Sequence, residues 1–201
     1  MLELLLPRRC AGCGAAGEHV CARCRAALSA APQRVSPPTF PHVPVFAFGT
    51  YAGAHRGIVL AMKERANLAV RRHAGAVLAA GLDTLAARGE IPQRVGLVPA
   101  PTRARSARAR GGDPVEALCR ASGRDTWPVL SLGEGVADQA GLGAQQRRAN
   151  LSGRVRAVAA PAGALVLVDD VVTTGATLQA SVEKLCALGG DVVACLVFCA
   201  A

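Results

Sequence analysis

Residues 165–178, LVLVDDVVTTGATL, place two acids, three threonines and a glycine directly behind an apolar run. The run reads as a buried strand, and in a parallel sheet the carboxyl end of such a strand is where ligands bind. Asp169 and Asp170 would stand at that edge, with Thr173, Thr174, Gly175 and Thr177 where the next helix begins. The first turn of a helix offers free N–H groups and the positive end of its dipole, which suits a phosphate. A valine at Gly175 would fill the space through which that backbone approaches the anion. Two adjacent carboxylates repel a bare polyanion, but they fit sugar hydroxyls or the water around a divalent cation. The segment therefore points to a phosphorylated sugar, with magnesium. The plainer alternative is a strand ending in a turn, with Asp170 or Thr174 capping the helix. A cap uses one such residue and leaves the others without a task.

A second group lies near the start, as Cys10-Ala-Gly-Cys13 and Cys21-Ala-Arg-Cys24. Paired Cys-x-x-Cys thiolates suit a tetrahedral zinc site, and four of them leave no open position, so the zinc would be structural. Gly12, Gly14 and Gly17 free the backbone for the turns, and His19 would be a superfluous competitor. Two disulfides are the alternative, which a reducing compartment would not maintain. Cys119, Cys186, Cys195 and Cys199 lie in apolar surroundings and read as small core residues. A third group is the run Arg103, Arg105, Arg108 and Arg110, with no acid between Glu90 and Asp113. Clustered guanidinium groups can meet a pyrophosphate bidentately. The alternative is a solvated basic surface.

These groups must be held by a framework, and 201 residues with 51% hydrophobic and 18% charged suffice to bury one. The net charge of +9 invites an anionic partner without choosing among phosphate, nucleic acid and an acidic surface. The few aromatics (Phe40, Phe46, Phe48, Tyr51, Trp127 and Phe198) make a poor base-stacking platform. Apolar stretches at 161–168 and 192–201 are too short to span a bilayer, and the start lacks a signal peptide's apolar run. A cytoplasmic protein without membrane insertion is expected.

The chain divides into a cysteine-rich module over 1–29, a proline-rich linker with a short strand over 30–54, and an α/β domain over 55–201. The prolines at 32, 37, 38, 41 and 44 exclude a helix in the linker, which reads as an extended arm. Helical periodicity covers 55–87, with Gly75 and Gly81 as weak points. Strands are expected at 46–51, 94–98, 155–159, 164–168 and 192–198, with 128–130 a strand or its approach, and helices at 114–122 and 176–188. Residues 133–152 read as a long polar loop. Strand, helix, strand over the last forty or so residues is the crossover unit of a parallel sheet.

The segment around Asp169 and Asp170 resembles the phosphoribosyl-pyrophosphate (PRPP) motif of type I phosphoribosyltransferases. The chain as a whole is similar to the ComF family, in which a zinc ribbon precedes a phosphoribosyltransferase-like parallel sheet flanked by helices. The resemblance implies that Asp169 and Asp170 meet the ribose hydroxyls of PRPP. It also implies that Thr173, Thr174, Gly175, Ala176 and Thr177 wrap the 5′-phosphate. Val98-Pro99-Ala100-Pro101 matches the family's strand-end segment, and the basic run through Arg103 and Arg110 matches its pyrophosphate loop. Gly112-Asp113-Pro114 departs from the family's Phe-Asn-Gln: Asp113 either faces the pyrophosphate and weakens the anion site, or caps the next helix at little loss. Gln139, Leu142, Arg147 or Arg148, and Asn150 match a hood that closes over PRPP and excludes water. Lys63, after Met62, matches a lysine of the family's first helix; it is read as a surface lysine, with a place near the anion site as the alternative.

The resemblance implies an Mg–PRPP-binding protein linked to competence and DNA uptake, and, if it is an enzyme, a glycosyltransferase-class phosphoribosyltransferase releasing pyrophosphate. Asp169, Asp170, Arg103 and Arg110 would carry the reaction, while the acceptor is unreadable. The alternatives are a non-catalytic binding or assembly protein of the DNA-uptake machinery and a basic protein binding single-stranded nucleic acid.

Overall fold

The computed structural model describes residues 8–63, 68–102, 112–133 and 154–201. The apolar run expected as a strand is β6 (Ala164–Val172). With α5 (Ala176–Cys186) and β7 (Asp191–Ala200) it makes the expected parallel crossover unit. β7 also pairs in parallel with β2 (Val45–Thr50), and β6 with β3 (Gly96–Pro99). At the far edge β1 (Gln33–Val35) runs antiparallel to β2, Gln33 opposite Ala47. The sheet is mixed, in the order β1-β2-β7-β6-β3, and helices flank it in an α/β fold.

Alternation along β6 sends Leu165 and Leu167 to one face and Val166 and Val168 to the other. The first face packs against Leu178, Val182 and Leu185 of α5. The second packs against α1 (Ala22–Leu28), α2 (Gly53–Met62), α3 (Leu68–Ala87) and α4 (Pro114–Ala121), through Leu28, Ile58, Leu78 and Leu118 among others. Burial on both faces explains why the strand is apolar throughout rather than alternating. Each such side chain contributes about 1.5–3 kcal/mol of burial, which fixes the register that presents Asp169 and Asp170. A separate antiparallel pair, β4 (Leu130–Leu132) with β5 (Val155–Ala157), stands beside the main sheet.

Several boundaries depart from the sequence reading. β6 does not stop before the acids but continues through them, because β7 keeps pairing with it as far as Val172 opposite Ala200. The helical stretch 55–87 is two helices, α2 ending at Met62 with Lys63 as its C-cap and α3 beginning at Leu68. Gly75 and Gly81 lie inside α3 without breaking it. A Cβ at Gly75 would stand 2.4 Å from the Ala121 carbonyl carbon, and one at Gly81 the same distance from the Phe48 ring, so both serve close packing. The arm holds a strand the sequence reading lacked: Pro32 and Pro37 flank β1 rather than interrupt it.

The cysteine module packs onto this body directly. Cys10, Val20, Cys24 and Leu28 share one hydrophobic core with Ile58 and Met62 of α2. Gly57 permits the contact, since a Cβ there would lie 2.3 Å from the Ala11 carbonyl oxygen. Among the described residues, no helix is long and apolar enough to cross a membrane.

Candidate functional site

The ladder between β3 and β6 ends with Pro99 opposite Val168, and the Ala100 N–H then donates to the Val168 carbonyl at 2.8 Å. Pro99 and Pro101 have no N–H to extend the ladder. The next two residues of β6, Asp169 and Asp170, therefore lie past the end of their β3 neighbour while β7 still holds them from the other side. Val98, Pro99, Ala100 and Pro101 are all buried along this edge. Val98 and Ala100 join the core that packs against α5, and the segment ends beside the acid pair.

The two carboxylates are not equivalent. Asp170 Oδ2 lies 2.7 Å from Lys63 Nζ, a close ion pair. Asp169 Oδ1 accepts a hydrogen bond from the Asp170 backbone N–H at 2.8 Å. Burial of the Asp169 carboxyl, then the neighbouring charge of Asp170, push its pKa from 3.8 up to about 7, against the opposing pull of that N–H and of Lys63. Lys63, read from sequence first as a surface lysine, is thus a partner of the acid pair. Of the two places that the sequence left open to it, the ion pair selects the one near the anion site.

A carboxyl that holds its proton more tightly in the folded chain than in the unfolded one stabilises the fold fully below the unfolded value. That contribution is lost as pH rises through the folded one. For Asp169 the window runs from about 4 to about 7. The neutral isostere Asp169→Asn has no such dependence. The variant should gain stability on the wild type across that window, by up to about 4 kcal/mol, and hold the gain above it. Urea unfolding at pH 5 and pH 8 measures it; an identical gap at both would overturn the assignment.

The phosphate-type turn follows two residues beyond β6's acids. Gly175 caps α5 with φ +82° and ψ −3°, and no side chain of the cap bonds to the helix N–H groups. The nearest approach is Thr174 Oγ1, which accepts weakly from the Ala176 N–H at 3.4 Å. Of the plainer reading, Thr174 keeps this one long bond to the helix start, while the N-cap position itself belongs to Gly175. Asp169 lines one hollow of about 30 Å³ together with Thr173, Thr174, Gly175, Ala176 and Thr177. One acid of the pair and the whole turn share a cavity.

The proline arm supports the turn from behind. The Thr39 N–H donates to the Thr174 carbonyl at 2.8 Å, and Thr39 is buried. A Cβ on Gly175 would lie 2.4 Å from the Thr39 carbonyl oxygen and 3.0 Å from Pro37 Cβ. The glycine is required by the arm as well as by its backbone angle, which is a different reason from room for an anion. Sequence reasoning missed Pro37 and Thr39, since a proline-rich stretch announces an extended path but not where it lies.

Asp113 caps α4: its Oδ1 accepts from the Val115 N–H at 2.8 Å and the Glu116 N–H at 3.2 Å, with Pro114 at the first helical position. Of the two roles open to it from sequence, this is the harmless one. Arg103 and Arg110 lie outside the described residues, as do Gln139, Leu142, Arg147, Arg148 and Asn150.

The second centre is the cysteine quartet. The sulfurs of Cys10, Cys13, Cys21 and Cys24 all lie within 4.8 Å of one another, close enough to bind one metal ion. Cys13 Sγ and Cys21 Sγ are 3.7 Å apart, and a tetrahedral ion with bonds of about 2.3 Å gives sulfur–sulfur edges of about 3.8 Å. The donor set fits. The loop is shaped by Cys10 N–H donating to the Ala15 carbonyl and Gly14 N–H to the Cys10 carbonyl, both at 2.7 Å. The Cys21 N–H donates to Cys10 Sγ at 3.2 Å. Burial opposes ionisation of Cys10, yet backbone donors led by Cys21 outweigh it and bring the thiol down to about 6. The Ala15 backbone, then Arg23, lower that of Cys13, while burial raises that of Cys24.

Fold and site together define an α/β protein with a mixed sheet, an acid pair beside a glycine-capped helix turn, and an N-terminal four-thiol cluster able to hold a metal. No family model matches the chain. No curated protein matches it.

Proposed function

We propose that the chain is a phosphoribosyltransferase-like protein of the ComF kind that binds Mg–PRPP, with one structural zinc in its cysteine quartet. The observation that carries the reading is the shared hollow: Asp169 and the Thr173–Thr177 turn face the same small space. A ribose 5-phosphate presents a vicinal diol and a phosphate about one sugar ring apart, the pairing of groups that an acid pair and a helix N-terminus recognise. Asp169 and Asp170 accept from the ribose hydroxyls, and the turn's N–H groups and threonine hydroxyls take the 5′-phosphate. A magnesium ion, held through water by Asp169 and Asp170, would supply charge neutralisation to the pyrophosphate. If the protein is an enzyme, an incoming nucleophile forms a bond to the anomeric carbon as the bond to pyrophosphate breaks, and pyrophosphate leaves with the bonding pair. No side-chain nucleophile is needed, and the chain's part is electrostatic placement, with Arg103 and Arg110 meeting the leaving group. A role in DNA uptake belongs to this reading through the family likeness of the sequence.

The test is calorimetry with PRPP, with and without magnesium, on the wild type and on Asp169→Asn/Asp170→Asn. Hydrogen bonds to a charged partner are worth about 1.5–3 kcal/mol each, so losing two weakens PRPP by roughly a hundred-fold or more. Affinity for a single-stranded oligonucleotide should hold or rise, because repulsion has been removed. Unchanged PRPP affinity with tighter oligonucleotide binding would transfer the function to a nucleic-acid-binding protein, a reading with which the net charge of +9 is compatible.

A further inference from the structure

We propose that Lys63 is a displaceable counter-ion of the acid pair. It neutralises Asp170 until a ligand's hydroxyls or divalent cation take that carboxylate, and it then turns to the ligand's phosphate oxygens. The inference rests on the sugar-phosphate reading above and gives that site a specificity for anionic ligands.

Three observations carry it. The first is contact: Lys63 Nζ and Asp170 Oδ2 are 2.7 Å apart, a charge-assisted bond. The second is access. The Lys63 and Asp170 side chains are 32% and 15% exposed, so water reaches the pair and the ammonium can leave without crossing a dry interior. A fully enclosed pair would be locked by the cost of separating its charges. The third is anchorage. Lys63 is the C-cap of α2, its N–H bonded to the Leu60 and Ala61 carbonyls, and the preceding Met62 is fully buried. The main chain is fixed while four methylenes swing the charge.

Residue type supports the same role. A guanidinium would grip a carboxylate through two bonds in a fixed plane, whereas an ammonium is a point charge that changes partners easily. This chain uses arginine nearly everywhere, and only Lys63 and Lys184 are lysines. Lys184 lies in the last turn of α5, where any cation complements the helix dipole. The lysine at 63 is placed where a fork would bind too firmly. Its charge also matters electrically: Lys63 lowers the pKa of Asp169, so it supports the second acid as well.

A counter-ion of this kind competes with a metal and assists an anion, so removing it has effects of opposite sign. On the full chain, Lys63→Met should bind Mn²⁺ alone about tenfold tighter and PRPP with Mg²⁺ about tenfold weaker. Lys63→Arg keeps the charge but grips Asp170 through two bonds, so it should also weaken PRPP, by about three- to tenfold, with the melting temperature held and Mn²⁺ bound no tighter than by the wild type. Melting temperatures are recorded for each, and Lys63→Gln replaces Lys63→Met if that variant does not fold. Wild-type PRPP binding with neither affinity moved by Lys63→Met overturns the counter-ion and leaves the site's function standing. Both affinities falling together with the melting temperature makes Lys63 a structural residue and also overturns it. A wild type with no affinity for PRPP overturns the functional reading itself, and this inference with it.

Discussion

Serine at Cys10, or removal of the metal by a strong chelator, should destabilise the whole described body and not the cysteine module alone. The module is too short to build a core, and a structural zinc contributes about 10–16 kcal/mol of apparent binding energy that is spent on folding. From sequence alone the sheet would be expected to stand without it. The packing argues otherwise: Cys10, Val20, Cys24 and Leu28 are part of the core that contains Ile58 and Met62. The Ala11 and Gly12 carbonyls press on α2 at Gly57. Loss of the cluster opens that face of α2 to water, and α2 leads directly to Lys63 and its bond with Asp170. The expected result is a melting temperature lowered by more than about 10 °C, against a total stability of about 5–15 kcal/mol. Elemental analysis should find one zinc per chain. A chelated protein that keeps the native melting temperature would refute the coupling, and zinc-free protein prepared without chelator would refute the zinc.

The chemistry-bearing segments were legible because their signals are local. The two Cys-x-x-Cys pairs carry their geometry in their spacing, and the sulfurs do converge. An apolar strand, two acids, a glycine turn and an amphipathic helix also follow in sequence, so the β6–α5–β7 unit could be read from residue types. What was not legible depends on contacts between distant parts of the chain. The continuation of β6 through Asp169 and Asp170 is decided by how far β7 runs beside it, more than twenty residues later. The break after Met62 was hidden because Gly75 and Gly81 looked like the weak points, whereas both are spacers for Ala121 and Phe48. Thr39 escaped, and the two places open to Lys63 were not ranked correctly, for the same reason: each reaches the site from an element more than a hundred residues away in the chain. Asp113 shows the intermediate case. The sequence defined two roles for it, and two short N–H bonds chose between them.

Valine at Gly175 should abolish phosphate binding at the head of α5 while leaving the sheet folded. Two costs add at this position. The residue adopts φ +82°, a left-handed angle that costs a side-chain-bearing residue about 1–3 kcal/mol, with a β-branched one at the upper end. The new Cβ would also stand 2.4 Å from the Thr39 carbonyl oxygen, a backbone atom that cannot rotate away. Either the arm retreats, breaking the 2.8 Å bond from Thr39 N–H to Thr174, or the turn itself shifts. Both routes misplace the N–H groups and hydroxyls that converge on the hollow. Gly175→Ala separates the causes: it keeps the angle penalty and the first contact but omits the two γ-methyls, so it should retain part of the affinity. Pro37→Ala removes the ring Cγ that stands 3.1 Å from the added Cβ, and keeps the Cβ at 3.0 Å, without touching the turn's own groups. Combined with Gly175→Ala it should recover a small part of the stability lost in the single change, since one crowding atom is gone while the Thr39 carbonyl oxygen remains. Affinity for ribose 5-phosphate and the urea midpoint, measured across the wild type and these variants, read binding and folding separately. If Gly175→Val bound the phosphate as the wild type does, the turn would not be the anion site, whatever its stability showed.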